Sequence, residues 1–221
     1  MKHKQSGFTL VEIAIVLVIV GLILGGVLKG QEMISNAKVR NVVDQTTAIQ
    51  TAIYAFQDRF RSLPGDYAQA STNIPGVTGG ANGGNGNGNG LVNTNNDRGL
   101  LWLHLSAAGY ITGNFDGQAA GNNLNCSATS CPRNTFGGGM MFSWGSARTG
   151  TTSNGHELRM GRSIPVGVLA EIDRKVDDGI PETGSLQTDN LNLTTCRTGS
   201  AATSAYNVTN EQQDCAGVRV M

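Results

Sequence analysis

The feature that most constrains this chain is an uninterrupted apolar run over residues 13–28, close to the N-terminus. Residues 8–28 contain one charged side chain, Glu12. A helix of roughly 20 apolar residues is long enough to cross a lipid bilayer. A carboxylate near the start of such a segment costs on the order of 2–3 kcal/mol to insert. The sequence therefore predicts a membrane-length helix and a partner that neutralises Glu12.

The residues on either side of the run decide between kinds of membrane segment. Lys2 and Lys4 favour a cytoplasmic N-terminus. A cleaved secretory signal is one interpretation, but its apolar stretch is usually about 7–15 residues, and no small-residue cleavage site follows Leu28. A plain signal anchor is another, and it accounts for the length and the orientation. It does not account for Glu12 inside the run or for Gly7 before it.

Residues 7–12 read Gly7-Phe8-Thr9-Leu10-Val11-Glu12 and are followed directly by the apolar run. This arrangement, over about the first thirty residues, resembles the processing signal of type IV pilins and type II secretion pseudopilins. The resemblance implies that a prepilin peptidase cuts after Gly7 and methylates the new N-terminal amine of Phe8. It also implies that Glu12 pairs with the amine of a neighbouring subunit in a filament. Attraction between these charges grows as the dielectric constant falls, and pairing within one chain is the alternative.

The sequence divides into a leader at residues 1–7, a transmembrane and assembly helix at residues 8–30, and a globular domain at residues 31–221. The helix is expected to continue to about Ser62, because Leu63-Pro64-Gly65 ends the pattern. Apolar residues of this second, amphipathic half recur at helical spacing: Ile34, Val39, Val42, Val43, Ile49, Ala52, Ile53, Phe56 and Phe60. Four glycines, Gly21, Gly25, Gly26 and Gly30, serve either close helix packing or local unwinding.

The remainder of the chain predicts short elements between long loops. Residues 79–90 are Gly/Asn low complexity and are expected to form a mobile surface loop. Residues 100–111 predict a short amphipathic helix closed at Gly109. Strands are predicted at residues 139–144, 157–160, 166–172 and 218–220. The predicted fold class is α+β, a long N-terminal helix packed on a small antiparallel sheet, as in the soluble domain of the pilin family.

All four cysteines, Cys126, Cys131, Cys196 and Cys215, lie beyond the membrane segment. With the N-terminus inside, they face an oxidising periplasm, where disulfides persist. Four cysteines allow three pairings, of which the nearest-neighbour one, Cys126–Cys131 with Cys196–Cys215, is expected. The resemblance supports the Cys196–Cys215 bond, since many type IV pilins have a disulfide-bound C-terminal loop. The spacings do not match usual zinc ligands.

An acidic segment near residue 175 contains Asp173, Asp177 and Asp178, followed by Gly179. Calcium binds several oxygen ligands in flexible loops, and some pseudopilins bind calcium in a C-terminal loop. The alternative is that Asp-Asp-Gly forms a turn without metal. No other cofactor is expected.

Three further classes of function are disfavoured by the sequence. The chain has 16 basic and 16 acidic residues, so nucleic acid is not an expected partner, although Arg59, Arg61 and Arg98 form a candidate local patch. His104 and His156 lie in no catalytic motif, and His3 lies in the leader, so an enzyme is not expected. The Gly-rich residues 79–90 lack the Gly-Lys-Ser/Thr of a phosphate-binding loop.

The function predicted from the sequence is a structural subunit of a type IV pilus filament. The alternatives are a type II secretion pseudopilin and a membrane-tethered periplasmic binding module that does not polymerise. The expected partners are the prepilin peptidase, copies of the chain and other pilins, the inner-membrane assembly machinery and membrane lipid. The expected location is the bacterial inner membrane, crossed once with the N-terminus in the cytoplasm, and then a surface pilus or a periplasmic pseudopilus.

Overall fold

The structure is a computed structural model of the 221-residue chain. It describes residues 9–121, 126–150, 153–190, 193–199, 203–210 and 214–221. The chain divides into two units, Met1–Lys38 and Val39–Met221. The first helix contributes residues to both units.

Helix α1 covers Leu10–Phe60, 51 residues without a proline. It passes through Gly21, Gly25, Gly26 and Gly30 without a break. Within the second unit its buried residues recur every three or four positions, as one face of a helix requires. They are Val39, Val42, Thr46, Ile49, Ala52, Ile53 and Phe56. Ile34, predicted on this face, is instead 58% exposed.

Within the described part of the chain, four shorter helices follow α1. They are α2 (Ala70–Asn73), α3 (Asn95–Ala107), α4 (Val166–Val176) and α5 (Leu193–Cys196), with a 3-10 turn at Ala81–Gly84. Helix α3 begins five residues before the predicted start because Thr94 and Asp97 form a capping box. The Asp97 amide donates to Thr94 Oγ1 at 3.1 Å, and the Thr94 amide donates to Asp97 Oδ2 at 3.1 Å. Gly109, at φ 79°, follows the end of α3.

The main sheet has four short antiparallel strands in the order β1-β2-β6-β3. They are β1 (Met141–Gly145), β2 (Gly155–Arg159), β3 (Leu186–Thr188) and β6 (Gly217–Val220), and a separate pair joins β4 (Arg197–Thr198) to β5 (Ala205–Tyr206). Three of the predicted strands fall within one or two residues of β1, β2 and β6. The long first helix with a small antiparallel sheet confirms the predicted α+β class.

The prediction of a strand at residues 166–172 is wrong, because this segment forms helix α4. Its valines and isoleucine favour strands in general. The residues that it buries, however, include Val166, Leu169, Ala170 and Asp173. These positions are three or four apart, which places them on one face of a helix. Packing of that face overrides the local preference.

Two apolar clusters lie along the second half of α1. The first surrounds Phe56 and includes Trp102 of α3, Phe142 of β1 and Leu158 of β2. The second contains Val39 and Val42 with apolar residues of α4 and β3 and one disulfide, namely Leu169, Ile172, Leu186, Cys196 and Cys215. One face of α1 therefore contributes residues to both apolar clusters of the second unit.

The other face of the sheet carries buried charges. Glu157 and Arg159 of β2 are 0% and 5% exposed. Arg148 Nε lies 3.5 Å from Glu157 Oε1, and Arg159 Nε lies 3.6 Å from Asp189 Oδ2. Removing one member of such a pair leaves an uncompensated buried charge, so these pairs fix the loops that cover the sheet.

Residues 79–90, predicted to be a mobile surface loop, receive long-range hydrogen bonds in the structure. The buried carboxylate of Asp66 accepts hydrogen bonds from the amides of Asn89, at 3.0 Å, and Gly90, at 2.8 Å. Buried His104 of α3 lies with Nε2 2.7 Å from the Gly84 carbonyl oxygen. The low-complexity segment is thus held by side chains from elsewhere in the chain.

Two disulfides join neighbouring cysteines, Cys126–Cys131 and Cys196–Cys215, and in each the Cα atoms are 5.9 Å apart. This is the nearest-neighbour pairing expected from the sequence. Cys131, Cys196 and Cys215 are buried.

We predict that replacing Cys196 and Cys215 by alanine lowers the free energy of unfolding by about 3 kcal/mol, against about 2 kcal/mol for the Cys126/Cys131 pair. The reason is that the Cys196–Cys215 bond closes the longer loop, with a sequence separation of 19, against 5 for Cys126–Cys131. Denaturant unfolding of the full-length chain in detergent, without reductant, measures both values. A larger loss from the Cys126/Cys131 variant would contradict this ranking.

Candidate functional site

The predicted cleavage bond between Gly7 and Phe8 lies outside the described residues, which begin at Thr9. Glu12 lies in the first turn of α1. Its Oε2 accepts hydrogen bonds from the Thr9 amide at 2.8 Å and from the Thr9 hydroxyl at 2.9 Å. The Glu12 amide donates to Thr9 Oγ1 at 3.3 Å. One oxygen of the Glu12 carboxylate, Oε2, is therefore hydrogen-bonded by the start of its own helix.

Thr9 is a site residue that the sequence reasoning missed. Thr9 and Glu12 form a capping box, in which the side chain of each accepts from the backbone of the other. A threonine three residues before a glutamate, directly ahead of an apolar run, is the sequence signal for this motif. Among the described residues, both hydrogen bonds that Glu12 accepts come from Thr9 and go to Oε2, which leaves Oε1 open to a cation while the cap is intact.

The apolar side chains of α1 in the first unit are exposed. Examples are Leu10 at 91%, Leu22 at 72% and Leu28 at 67%. Among the described residues, α1 is the helix that is long and apolar enough to cross a membrane. Such a surface is stable only when lipid or other apolar helices cover it.

The three aspartates predicted as a metal site lie together at the C-terminal end of α4. One carboxylate oxygen from each of Asp173, Asp177 and Asp178 lies within 4.8 Å of the other two. Asp173 is fully buried, Asp177 is half-buried and Asp178 is exposed. The helix end and the turn after it therefore concentrate three carboxylates beside one buried position.

Two of these carboxylates already organise the turn. Asp177 Oδ2 accepts from the Leu186 amide at 2.8 Å, which links the turn to β3. Asp178 Oδ1 accepts from the Ile180 amide at 2.8 Å, and its Oδ2 accepts from the Thr183 hydroxyl. The bond from the Ile180 amide is the side-chain to backbone bond that aspartates make in turns. Each oxygen has a second lone pair, so the bonds do not prevent cation binding.

Asp173 differs because it is buried. Oδ2 accepts from the Tyr206 hydroxyl at 2.7 Å, while Oδ1 has no partner at hydrogen-bond geometry, although the Gly179 amide approaches the carboxylate. Burial raises the pKa of Asp173 to about 6, and the neighbouring charges of Asp178 and Asp177 add to the increase. Burial also raises the pKa of Tyr206. A proton or a cation at Oδ1 offsets the cost of burying the negative charge of Asp173.

The two histidines that the structure describes, His104 and His156, pack against neighbouring side chains. His104 is fully buried, and its Nδ1 accepts from the Gly65 amide at 2.9 Å, so Nε2 carries the proton that it donates to the Gly84 carbonyl. Burial lowers the pKa of His104 to about 4. The ring of His156 stacks on Phe142 at 5.3 Å, and burial lowers its pKa. His3 lies outside the described residues.

The arginines considered as a nucleic-acid patch do not form one exposed surface. Arg98 is 8% exposed and donates to Asn95 Oδ1 and to the Asn93 carbonyl. Arg61 is exposed and lies 3.6 Å from Asp58. Burial of Arg98 removes it from any contact with a phosphate backbone.

Comparison with known proteins adds one match. Residues 2–28 match the family described as the prokaryotic N-terminal methylation motif. No curated protein and no solved structure matches the chain. The matched range contains Gly7, Phe8 and Glu12, on which the resemblance to pilins rests, and it ends where the apolar run ends. Residues 2–28 are therefore the N-terminal methylation signal of type IV pilins and pseudopilins.

Proposed function

We propose that this chain is the precursor of a structural subunit of a type IV pilus, cleaved after Gly7, methylated at the amine of Phe8 and assembled through α1. The observation that carries the proposal is the methylation motif over residues 2–28, which continues into a helix with exposed apolar side chains. Prepilin peptidase is the processing partner that the motif implies. In this proposal the chain acts as a building block and carries out no chemistry of its own.

Assembly follows from two physical properties of α1. The free energy of its apolar side chains changes little when they move from lipid to a bundle of similar helices, because both surroundings are apolar. A Cβ added at Gly21, Gly25, Gly26 or Gly30 would meet no atom of the single chain within 4 Å. Small residues of this kind allow neighbouring helices to approach closely.

Glu12 supplies the register in this proposal. Cleavage creates an ammonium at Phe8, and a carboxylate in an apolar bundle strongly favours such a partner. Oε1 of Glu12 is the atom that receives it, since Oε2 is used by Thr9. The pair fixes the position of each subunit along its neighbour.

The proposed route begins in the bacterial inner membrane, which α1 crosses once with its N-terminus in the cytoplasm. There the inner-membrane machinery adds the cleaved subunit to copies of itself and to other pilins. The route ends in a pilus at the cell surface. A type II secretion pseudopilin shares every step except the last, and a tethered binding module shares only the anchoring.

We predict that surface material sheared from cells contains a peptide that starts at N-methylated Phe8. Mass spectrometry of the N-terminal peptide, in sheared material and in the cell envelope, tests this directly. The methylated peptide confined to the envelope would favour the pseudopilin. An unprocessed N-terminus in both fractions would contradict the precursor assignment itself.

We predict that Glu12→Gln and Glu12→Ala both abolish assembly while cleavage after Gly7 continues. Glutamine keeps an oxygen for the Thr9 amide but lacks the charge, whereas alanine removes both. Filament yield by shearing and cleavage by mass spectrometry are measured for each variant. Normal filaments from Glu12→Gln would show that the cap, rather than the charge pair, is required. A tethered monomer would be indifferent to both substitutions.

We also propose that Asp173, Asp177 and Asp178 bind a structural calcium ion. The observation that favours calcium over a turn alone is the fully buried carboxylate of Asp173, whose Oδ1 accepts no hydrogen bond of good geometry and which lies beside two further carboxylates. Carboxylate oxygens suit calcium, and water completes its usual six to eight ligands. The site would join the end of α4 to the disulfide-bound segment through Tyr206.

We predict that calcium raises the midpoint temperature of unfolding of the full-length chain in detergent at pH 7, and raises it less at pH 5. The folded pKa of Asp173, about 6, exceeds the ordinary value of 3.8. Its contribution to stability is therefore present below pH 3.8 and is lost as the pH rises through 6. When a chelator keeps calcium out, the free energy of unfolding falls by on the order of 3 kcal/mol by pH 7 because of Asp173. The Asp173→Asn variant should not show this fall.

Two substitutions control the calcium experiment. Asp177→Asn keeps an acceptor for the Leu186 amide but removes a charge, so it is expected to weaken the calcium response. Glu171→Gln removes a partly exposed carboxylate on the same helix, paired with Lys175, and is expected to leave the response unchanged. No effect of calcium on the unmodified chain would leave turn formation as the role of the aspartates.

A further inference from the structure

Residues 82–90 contain four Asn-Gly dipeptides: Asn82-Gly83, Asn85-Gly86, Asn87-Gly88 and Asn89-Gly90. Asparagine followed by glycine is prone to spontaneous cyclisation, because the glycine amide nitrogen can attack the asparagine Cγ without hindrance from a Cβ. The reaction requires that the asparagine side chain be released and that its ψ rotate until the two atoms meet. Local structure therefore decides which of the four dipeptides reacts.

Asn85 is held at both reacting groups. Its Nδ2 donates to Ser71 Oγ at 2.9 Å, and its Oδ1 accepts from the Ser71 amide at 2.9 Å. The Gly86 amide, which would be the nucleophile, donates to the Tyr67 carbonyl at 3.0 Å. Cyclisation here must break all three hydrogen bonds at once.

Asn87 and Asn89 are held by Asp66, which is 2% exposed. The Gly88 amide donates to the Asp66 carbonyl at 2.9 Å, and the Gly90 amide donates to Asp66 Oδ2 at 2.8 Å. The asparagine side chains are also engaged. Asn87 Oδ1 accepts from the Asn89 amide at 3.0 Å, and Asn89 Oδ1 accepts from the Leu91 amide at 2.8 Å.

Asn82 has none of these long-range ties. It is exposed, its side chain makes no hydrogen bond to a described residue, and its carbonyl accepts one long bond, from the Asn85 amide at 3.4 Å. Gly83 lies with it in the 3-10 turn, where a Cβ would meet no atom within 4 Å. Asn82 has φ 50° and ψ 32°, a left-handed conformation that asparagine tolerates better than most residues with a side chain. Rotation of its ψ breaks only local contacts.

We propose that Asn82 is the site of spontaneous succinimide formation and deamidation in this segment, and that Asp66 protects Asn87 and Asn89. The Gly83 nitrogen bonds to Asn82 Cγ, the Cγ–Nδ2 bond breaks, and ammonia leaves with the proton from the Gly83 amide. Water then opens the ring at either carbonyl, giving aspartate or isoaspartate. Each modified chain gains one negative charge at an exposed position.

The test is incubation of the full-length chain in detergent at mildly alkaline pH, followed by tryptic digestion and tandem mass spectrometry. One tryptic peptide, between Arg61 and Arg98, contains all four dipeptides. In the folded chain we expect Asn82 to exchange its amide for a carboxyl about tenfold or more faster than the other three, because its opening is local. In denaturant the four rates should agree within a factor of about three, because these ties are absent.

Two variants sharpen the result. Asn82→Gln should remove the early product, since glutamine would have to close a larger and slower ring. Asp66→Ala should bring the rate at Asn89 up toward that of Asn82, because the lost carboxylate holds the Gly90 amide. Asn85, held by Ser71, should stay slow, and so should Asn87, because the Gly88 amide donates to the main-chain carbonyl of residue 66, which alanine keeps. Equal rates in the folded chain, a faster reaction at Asn85, Asn87 or Asn89, or an equally strong preference for Asn82 in denaturant would overturn the proposal. The folded-to-denatured comparison needs no variant, so it stands even where Asp66→Ala fails to fold.

Discussion

The packing of the second half of α1 is the constraint on which the rest of the globular unit depends. The four strands of the main sheet are three to five residues long, too short to build a core by themselves. The apolar face of α1 supplies what they lack, because Phe56 anchors one cluster and Val42 anchors the other. The helix that organises this unit is also the helix that carries the methylation signal, so folding and the proposed assembly share one element.

The sequence predicts best where the signal is local and periodic. Residues 7–12 indicated the methylation motif. Helical spacing predicted the buried face of α1 from Val39 onward, and short β-rich runs predicted three of the four strands of the main sheet. It failed at α4, where β-branched residues suggested a strand while Leu169 and Asp173 face the core at helical spacing. Thr9 was missed because a capping box also requires the helix start to be known.

Long-range polar contacts are what the sequence could not provide. The Gly/Asn segment at residues 79–90 has one apolar residue, Ala81, which cannot build a core, and composition alone therefore predicts mobility. The structure holds it with Asp66 and His104, whose positions depend on the folding of α3 and of the turn after α1. The buried pairs Arg148–Glu157 and Arg159–Asp189 are of the same kind. Each pairs residues more than eight positions apart, so no local pattern marks them.

The geometry of Glu12 reconciles two demands on one carboxylate. Before assembly it must be tolerable near the start of an apolar helix, and hydrogen bonds from Thr9 to Oε2 reduce that cost without a second chain. In the proposed filament it must still attract an ammonium, and a carboxylate whose other oxygen is uncommitted can do so. If the cap engaged both oxygens, an incoming amine would have to displace it. Because it engages one, the capped precursor and the paired subunit differ by the arrival of a cation and not by a rearrangement of the helix start.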